Sequence, residues 1–133
     1  MLCRQYMEKI VCCVPISIGE LYDKYTILLI KQERIKDEEK LVFINKELEY
    51  LKKHIDIFNL DASLVTELKT ANAILWNVED DIRVKERRKE FDLDFISLAR
   101  NVYLINSERS QIKNKINLIL NSDLIDIKSY AEY

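Results

Sequence analysis

The chain is 133 residues long, 48% hydrophobic and 33% charged, with a single Gly and a single Pro. That composition is of one core-forming domain, and it excludes a disordered segment or a small scaffold that depends on disulfides. Lys and Arg (21) nearly balance Asp and Glu (23), so no positive surplus exists to favour nucleic acid as a partner.

No apolar run reaches the roughly 18 residues that span a bilayer, and Arg4, Glu8 and Lys9 interrupt any signal-peptide core. Cys3, Cys12 and Cys13 are odd in number and confined to the start of the chain, which fits a reducing, cytoplasmic setting better than a disulfide framework. With His54 as the one histidine they make no metal site, and Cys12 and Cys13 read as small buried hydrophobes. No cofactor is implied.

Residues 1–16 read as an extended lead-in with a possible short strand, because Lys9 to Val14 is rich in β-branched residues and Pro15 biases Val14 toward extended backbone. Ser17-Ile18-Gly19-Glu20 has the form of a reciprocal capping box. The first helix therefore starts there and runs to about Ile35, with Ile18, Tyr22, Tyr25, Leu29 and Gln32 on one side. Asp37-Glu38-Glu39 opens the second helix, whose stripe is Leu41, Ile44, Leu48, Leu51, Ile55 and Phe58 and which Asn59 ends.

Asp61 caps a third helix reaching Lys89, with Leu64, Leu68, Ala71, Leu75, Val78 and Ile82 on its seam. Glu79–Arg83 and Asp81–Lys85 are expected as acid-before-base pairs one turn apart. Asp92 or Asp94 caps a fourth helix to about Leu120, with Leu98, Val102, Ile105, Ile112, Ile116 and Ile119 on its seam. Residues 124–133 carry Leu124, Ile125, Ile127, Tyr130 and Tyr133, too apolar for a free tail, and are expected to pack on the helices. The fold class is all-α: one domain, 1–133, an antiparallel four-helix bundle with coiled-coil-like spacing in which helices two and three form a long hairpin.

Arg109 breaks the fourth stripe between Ile105 and Ile112. A guanidinium on a buried seam must reach solvent along its stem or meet a carboxylate. Angular placement at about 100° per residue puts Glu79, Arg83, Glu86, Asn72 and Trp76 along one flank of the third seam, and Asn106 and Lys113 along a flank of the fourth. A cluster of Glu79, Arg83, Glu86, Asn106 and Arg109 is therefore expected, walled by Trp76. It serves either as a buried ion network that fixes register or as a pocket for an anionic or sugar-like ligand.

Elsewhere the chemistry is thin. Glu20 and Asp23 lack the second acidic pair that a divalent ion would need, and read as a capping residue and a surface acid. His54 lies off the second seam as a partly exposed histidine, and the solitary Gly19 makes no phosphate loop.

Several short segments in order carry a family resemblance. They are Pro15-Ile16-Ser17-Ile18-Gly19-Glu20-Leu21 with Asp23-Lys24 and Thr26-Ile27-Leu28, then Leu75-Trp76 with Glu79-Asp80-Asp81-Ile82-Arg83 and Lys85-Glu86. Phe95-Ile96, Leu98-Ala99-Arg100, Val102-Tyr103, Asn106, Arg109, Lys113, Ile116-Asn117 and Lys128-Ser129-Tyr130 complete the pattern. The chain resembles a family of short, mostly bacterial helical proteins of unknown function, with Met1 to Glu8 an extension beyond the pattern. The resemblance implies no established activity, only a faint link to glycan or sugar-nucleotide chemistry through neighbouring glycosyltransferase genes. Its motif residues include Trp76, Glu79, Arg83, Asn106 and Arg109.

The expected function is a helical binding or assembly module that self-associates, with Val42, Phe43, Ile57, Ile74 and Leu104 outside the seams as interface residues. The alternative is a small enzyme or accessory protein in sugar, sugar-nucleotide or nucleotide metabolism. There Arg83 and Arg109 would hold an anion and Glu79 or Glu86 would move a proton.

Overall fold

A computed structural model describes residues 9–132. Four helices account for its regular structure: α1 (Ile18–Arg34), α2 (Glu38–Ile55), α3 (Ala62–Arg88) and α4 (Leu93–Ile119). No strand occurs among the described residues, so the lead-in from residue 9 to Ser17 is irregular chain, and the rest of that lead-in, 1–8, lies outside them. No helix among them is long and apolar enough to cross a membrane.

Local side chains fix the boundaries. Ser17, Asp37, Asp61 and Asp92 each occupy the N-cap, where a side-chain oxygen accepts from backbone N–H groups of the first turn. Helix α2 stops at Ile55, short of the expected Asn59, so Phe58 packs from the connection. At the end of α3 the left-handed Lys89 (φ 57°) closes the helix, while the Lys85 ammonium gathers Glu90, Asp92 and Asp94 across the turn to α4. That clamp replaces the expected Asp81–Lys85 pair, and Arg83 reaches Asp80 at 3.9 Å rather than Glu79.

Helix α1 is the hub: it packs against α2, α3 and α4, whereas α2 packs on α1 alone. The expected α2–α3 hairpin is thus replaced by two others, α1–α2 and the long α3–α4. Being surrounded, α1 buries Leu21, Tyr22, Asp23, Thr26, Leu28 and Ile30, more than one face's worth, where its sequence had suggested a single stripe. Its two ends serve two cores. Tyr22 joins Leu64, Leu68 and Ile116, and Leu28 joins Ile44 and Leu48. Each buried aliphatic side chain contributes about 1.5–3 kcal/mol through removal from water.

The seams of α2 and α3 hold, with Ile44, Leu48, Leu64, Leu68, Ala71, Leu75 and Val78 buried. On α4 only Lys113, Ile116 and Asn117 are buried, and the expected seam residue Ile119 faces solvent. Val42, Phe43, Ile57, Ile74 and Leu104 are exposed, as expected of positions outside the seams. Cys12 and Cys13 are exposed free thiols, contrary to their reading as buried hydrophobes, because the irregular lead-in lies outside both cores.

The only glycine of the chain explains how α1 meets α4. A Cβ at Gly19 would stand 2.4 Å from the Lys113 carbonyl oxygen and 2.9 Å from Asn117 Oδ1, so only a hydrogen fits between the two backbones. Gly19→Ala gains about 1 kcal/mol of helix propensity but must force the helices apart, an overpacking cost of about 1–3 kcal/mol. The expected result is a melting temperature lowered by several degrees; an unchanged or raised one would mean that α4 yields easily.

Candidate functional site

The close approach at Gly19 brings a column of polar side chains on α4 against the first two turns of α1. Three orphan N–H groups at the α1 N-terminus find partners: Ile18 N donates to Ser122 Oγ (3.0 Å), Gly19 N to Asn117 Oδ1 (2.6 Å) and Glu20 N to Ser17 Oγ (3.0 Å). The capping box is therefore half local. The Glu20 carboxylate, expected to reach back to Ser17, instead accepts from Lys113 Nζ at 2.6 Å.

One turn further along α1, Asp23 is 4% exposed, not a surface acid. Its carboxylate accepts from Asn72 Nδ2 of α3 at 2.9 Å and lies 3.7 Å from Lys113 Nζ and 3.9 Å from the Arg109 guanidinium. Asn72 also donates to Thr26 Oγ1 (3.1 Å) and accepts from Arg109 Nη1 (3.2 Å). The Thr26 hydroxyl donates to the Asp23 carbonyl. The result is an alternating ladder of Glu20, Lys113, Asp23 and Arg109 across α1 and α4, with the Asn72 amide as its cross-brace. Each buried charge meets an opposite one, the condition under which such groups are tolerated away from water.

Arg109 thus turns inward as expected, but toward a different acid. Asn72 sets its height on α3, and Glu79 stands seven residues beyond, about 10 Å along the axis, with Arg83 and Glu86 farther still at about 1.5 Å per residue. Glu79 is half-buried on the arm without joining the ladder, Arg83 is solvent-facing beside Asp80, and Glu86 is exposed and paired with Lys89 at 3.0 Å. Trp76 walls a different place: the Arg34 guanidinium of α1 lies over its ring at 5.6 Å. Of the six candidates, only Asn106 and Arg109 reach one site.

The chain after α4 completes that site. Asn114 clamps the backbone of Asp126, accepting from its N–H (2.9 Å) and donating to its carbonyl (2.8 Å), while Ser110 donates to the carboxylate at 2.6 Å. The tail therefore docks through polar bonds and not through its apolar residues, since Leu124, Ile125, Ile127 and Tyr130 all face solvent; Tyr133 lies outside the described residues. Beneath the tail is a pocket of about 140 Å³ bounded by Arg109, Lys113, Asn106, Asp126, Lys128 and Tyr130. Burial opposes the Asp126 charge, but the Ser110 hydrogen bond and the nearby Lys113, Lys128 and Arg109 outweigh it and hold this carboxyl below its ordinary 3.8.

Sequence reasoning missed Asp23, Thr26, Lys113 and Asn117 as a group. A signal was present: Arg109, Lys113 and Asn117 recur every four residues, a polar row beside the apolar row of Ile105, Ile112 and Ile116. Among the described residues no group of three His, Cys, Asp or Glu stands together as a metal site would require.

A family model matches residues 12–133, and the chain belongs to that family, described as a family of unknown function (DUF6165). No curated protein and no solved structure matches it.

Asp23→Ala leaves the partly buried Arg109 without its acid and the buried Lys113 with Glu20 alone, and a loss of about 3 kcal/mol in unfolding free energy is expected, the lower end for breaking a buried pair. Glu86→Ala, at an exposed pair, is expected to leave the denaturation midpoint unchanged; equal effects would contradict the ladder. The Asp126 carboxyl has a lowered folded-state pKa, so its contribution is full above the unfolded value near 3.8 and fades as pH falls through the lower folded one. The amide protection factors of residues 124–132, which are rates taken relative to the intrinsic rate at each pH, should accordingly fall only on acidification into that window, and a fall already at pH 6 would contradict the assignment.

Proposed function

We propose that this protein is a helical assembly module that self-associates through the outer half of the α3–α4 hairpin. The observation that carries the reading is that none of the residues from 79 to 112 is buried, although Ile82, Phe95, Leu98, Val102 and Ile105 form a continuous apolar seam there. Two helices alone cannot cover such a seam. Phe91, Leu93, Ile96, Tyr103 and Leu104 add an exposed apolar face on the same arm.

Charge supports a second copy as the occupant: Glu79, Asp80 and Asp81 precede Arg87, Arg88 and Lys89, so two arms crossing antiparallel near Val84 set acids against bases in both directions. Such an arrangement makes a four-helix core from two half-covered hairpins. The exposed thiols of Cys12 and Cys13 suit a reducing, cytoplasmic setting for this assembly.

Light scattering on the purified full chain tests the reading. A dimer or larger assembly is expected for the native sequence. An Ile96→Glu and Leu104→Glu double variant should halve that mass with helical circular dichroism retained; a native chain that stays monomeric at tens of micromolar overturns the proposal.

A further inference from the structure

The pocket beneath the tail borders the proposed interface, meeting it at Val102 and Tyr103, and has a chemistry of its own. Three cations line it, Arg109, Lys113 and Lys128, against one carboxylate, Asp126. The acids that neutralise Lys113 and Arg109 within the ladder, Glu20 and Asp23, stand behind these cations and do not line the pocket. The lining is therefore positive while its supports are rigid, which is how a preformed anion site is built.

Arg109 has five N–H donors and spends one on Asn72. Its side chain is 25% exposed, so donors remain for a ligand. Lys128 approaches from the tail and has only a long contact to Asp126, at 3.8 Å. Asn106 Oδ1 is buried without a hydrogen-bond partner under the same roof, an acceptor suited to a hydroxyl on the organic part of a ligand and not to its phosphoryl oxygens. Cations converging from a helix and from a strap around a small volume suit a tetrahedral group with several charged oxygens. A planar carboxylate is satisfied by one arginine fork. Next to the pocket, and sharing Asn106 and Tyr130 with it, lies an open space of about 450 Å³ walled by Val102, Tyr103 and Ser107. That space is large enough for an organic group and mainly apolar.

We propose that this site binds a phosphate monoester, its phosphoryl group between Arg109, Lys113 and Lys128 and its organic portion along Val102 and Tyr130, with the tail as roof. The bound dianion joins Asp126 as a further partner of the cations, and ligand and tail are held together.

Thermal unfolding of the full chain in sodium chloride at matched ionic strength, with glycerol 3-phosphate, inorganic phosphate or malonate added, tests the site. Glycerol 3-phosphate at millimolar concentration should raise the melting temperature in proportion to the logarithm of its concentration. Lys128→Ala, at a half-exposed tail position that no helix depends on, should start from the native melting temperature and lose at least tenfold in apparent affinity. Equal stabilisation by malonate overturns the phosphoryl assignment, and equal stabilisation by inorganic phosphate overturns the organic half of it. No stabilisation beyond chloride, or full stabilisation in Lys128→Ala, overturns the site.

Discussion

The passage of α1 over α4 at Gly19 leaves no room for a side chain, and the rest of the architecture follows from it. A hydrogen in place of a side chain lets the Lys113 carbonyl and Asn117 approach the α1 backbone, and Asn117, 1% exposed, then supplies an N-terminal N–H with its acceptor. With the two helices at this distance, Glu20 and Asp23 come level with Lys113 and Arg109, and the ladder closes. A larger residue at 19 would lift the carboxylates away from their cations. Packing and electrostatics are thus one constraint at this point, because the ion pairs withstand desolvation only at the spacing that the glycine allows.

The ladder also divides the chain into a settled half and an unsettled one. At its level lies the core around Tyr22, Leu68 and Ile116, and further along α1 the core around Leu28 and Leu48, so that all four helices contribute. Beyond the end of α1, where Arg34 meets Trp76, α3 and α4 continue with no other described helix against them. Their seam is continuous in sequence yet nowhere buried. The Lys85 clamp at the turn and the edge-to-face pair of Phe91 and Phe95, 5.2 Å between centroids, keep the two helices in register to the tip. An arm held that rigidly presents a defined surface and gives up little conformational freedom on association.

The polar column on α4 has two sides with different duties. Lys113 and Asn117 face α1 and fix how the helices meet, Ser110 and Asn114 receive the tail, and Arg109 and Lys113 line the pocket while also reaching Asp23. Docking the tail by amide and hydroxyl bonds rather than by its apolar residues makes it responsive to charge. Its hold on α4 rests on Asp126 and two neutral side chains. An apolar clasp would be insensitive to pH and to anions; this one is built to respond to both.

What the chain determined locally was the set of helices. Ser17, Asp61 and Asp92 cap where their side-chain chemistry says they must, and the stripes of α2 and α3 bury as their spacing requires, because capping and periodicity are read within one or two turns. The inward turn of Arg109 was legible too, since a guanidinium between two isoleucines on a seam has to find an acid. Which acid it finds was settled by tertiary structure. Angles around a helix say which side chains share a face, but only packing sets the height of one helix against another, and that height chose Asp23 over Glu79 and Glu86. The same packing made α1 the hub and paired α3 with α4, so that α1 buries residues on more than one face, which no single stripe in its sequence announced.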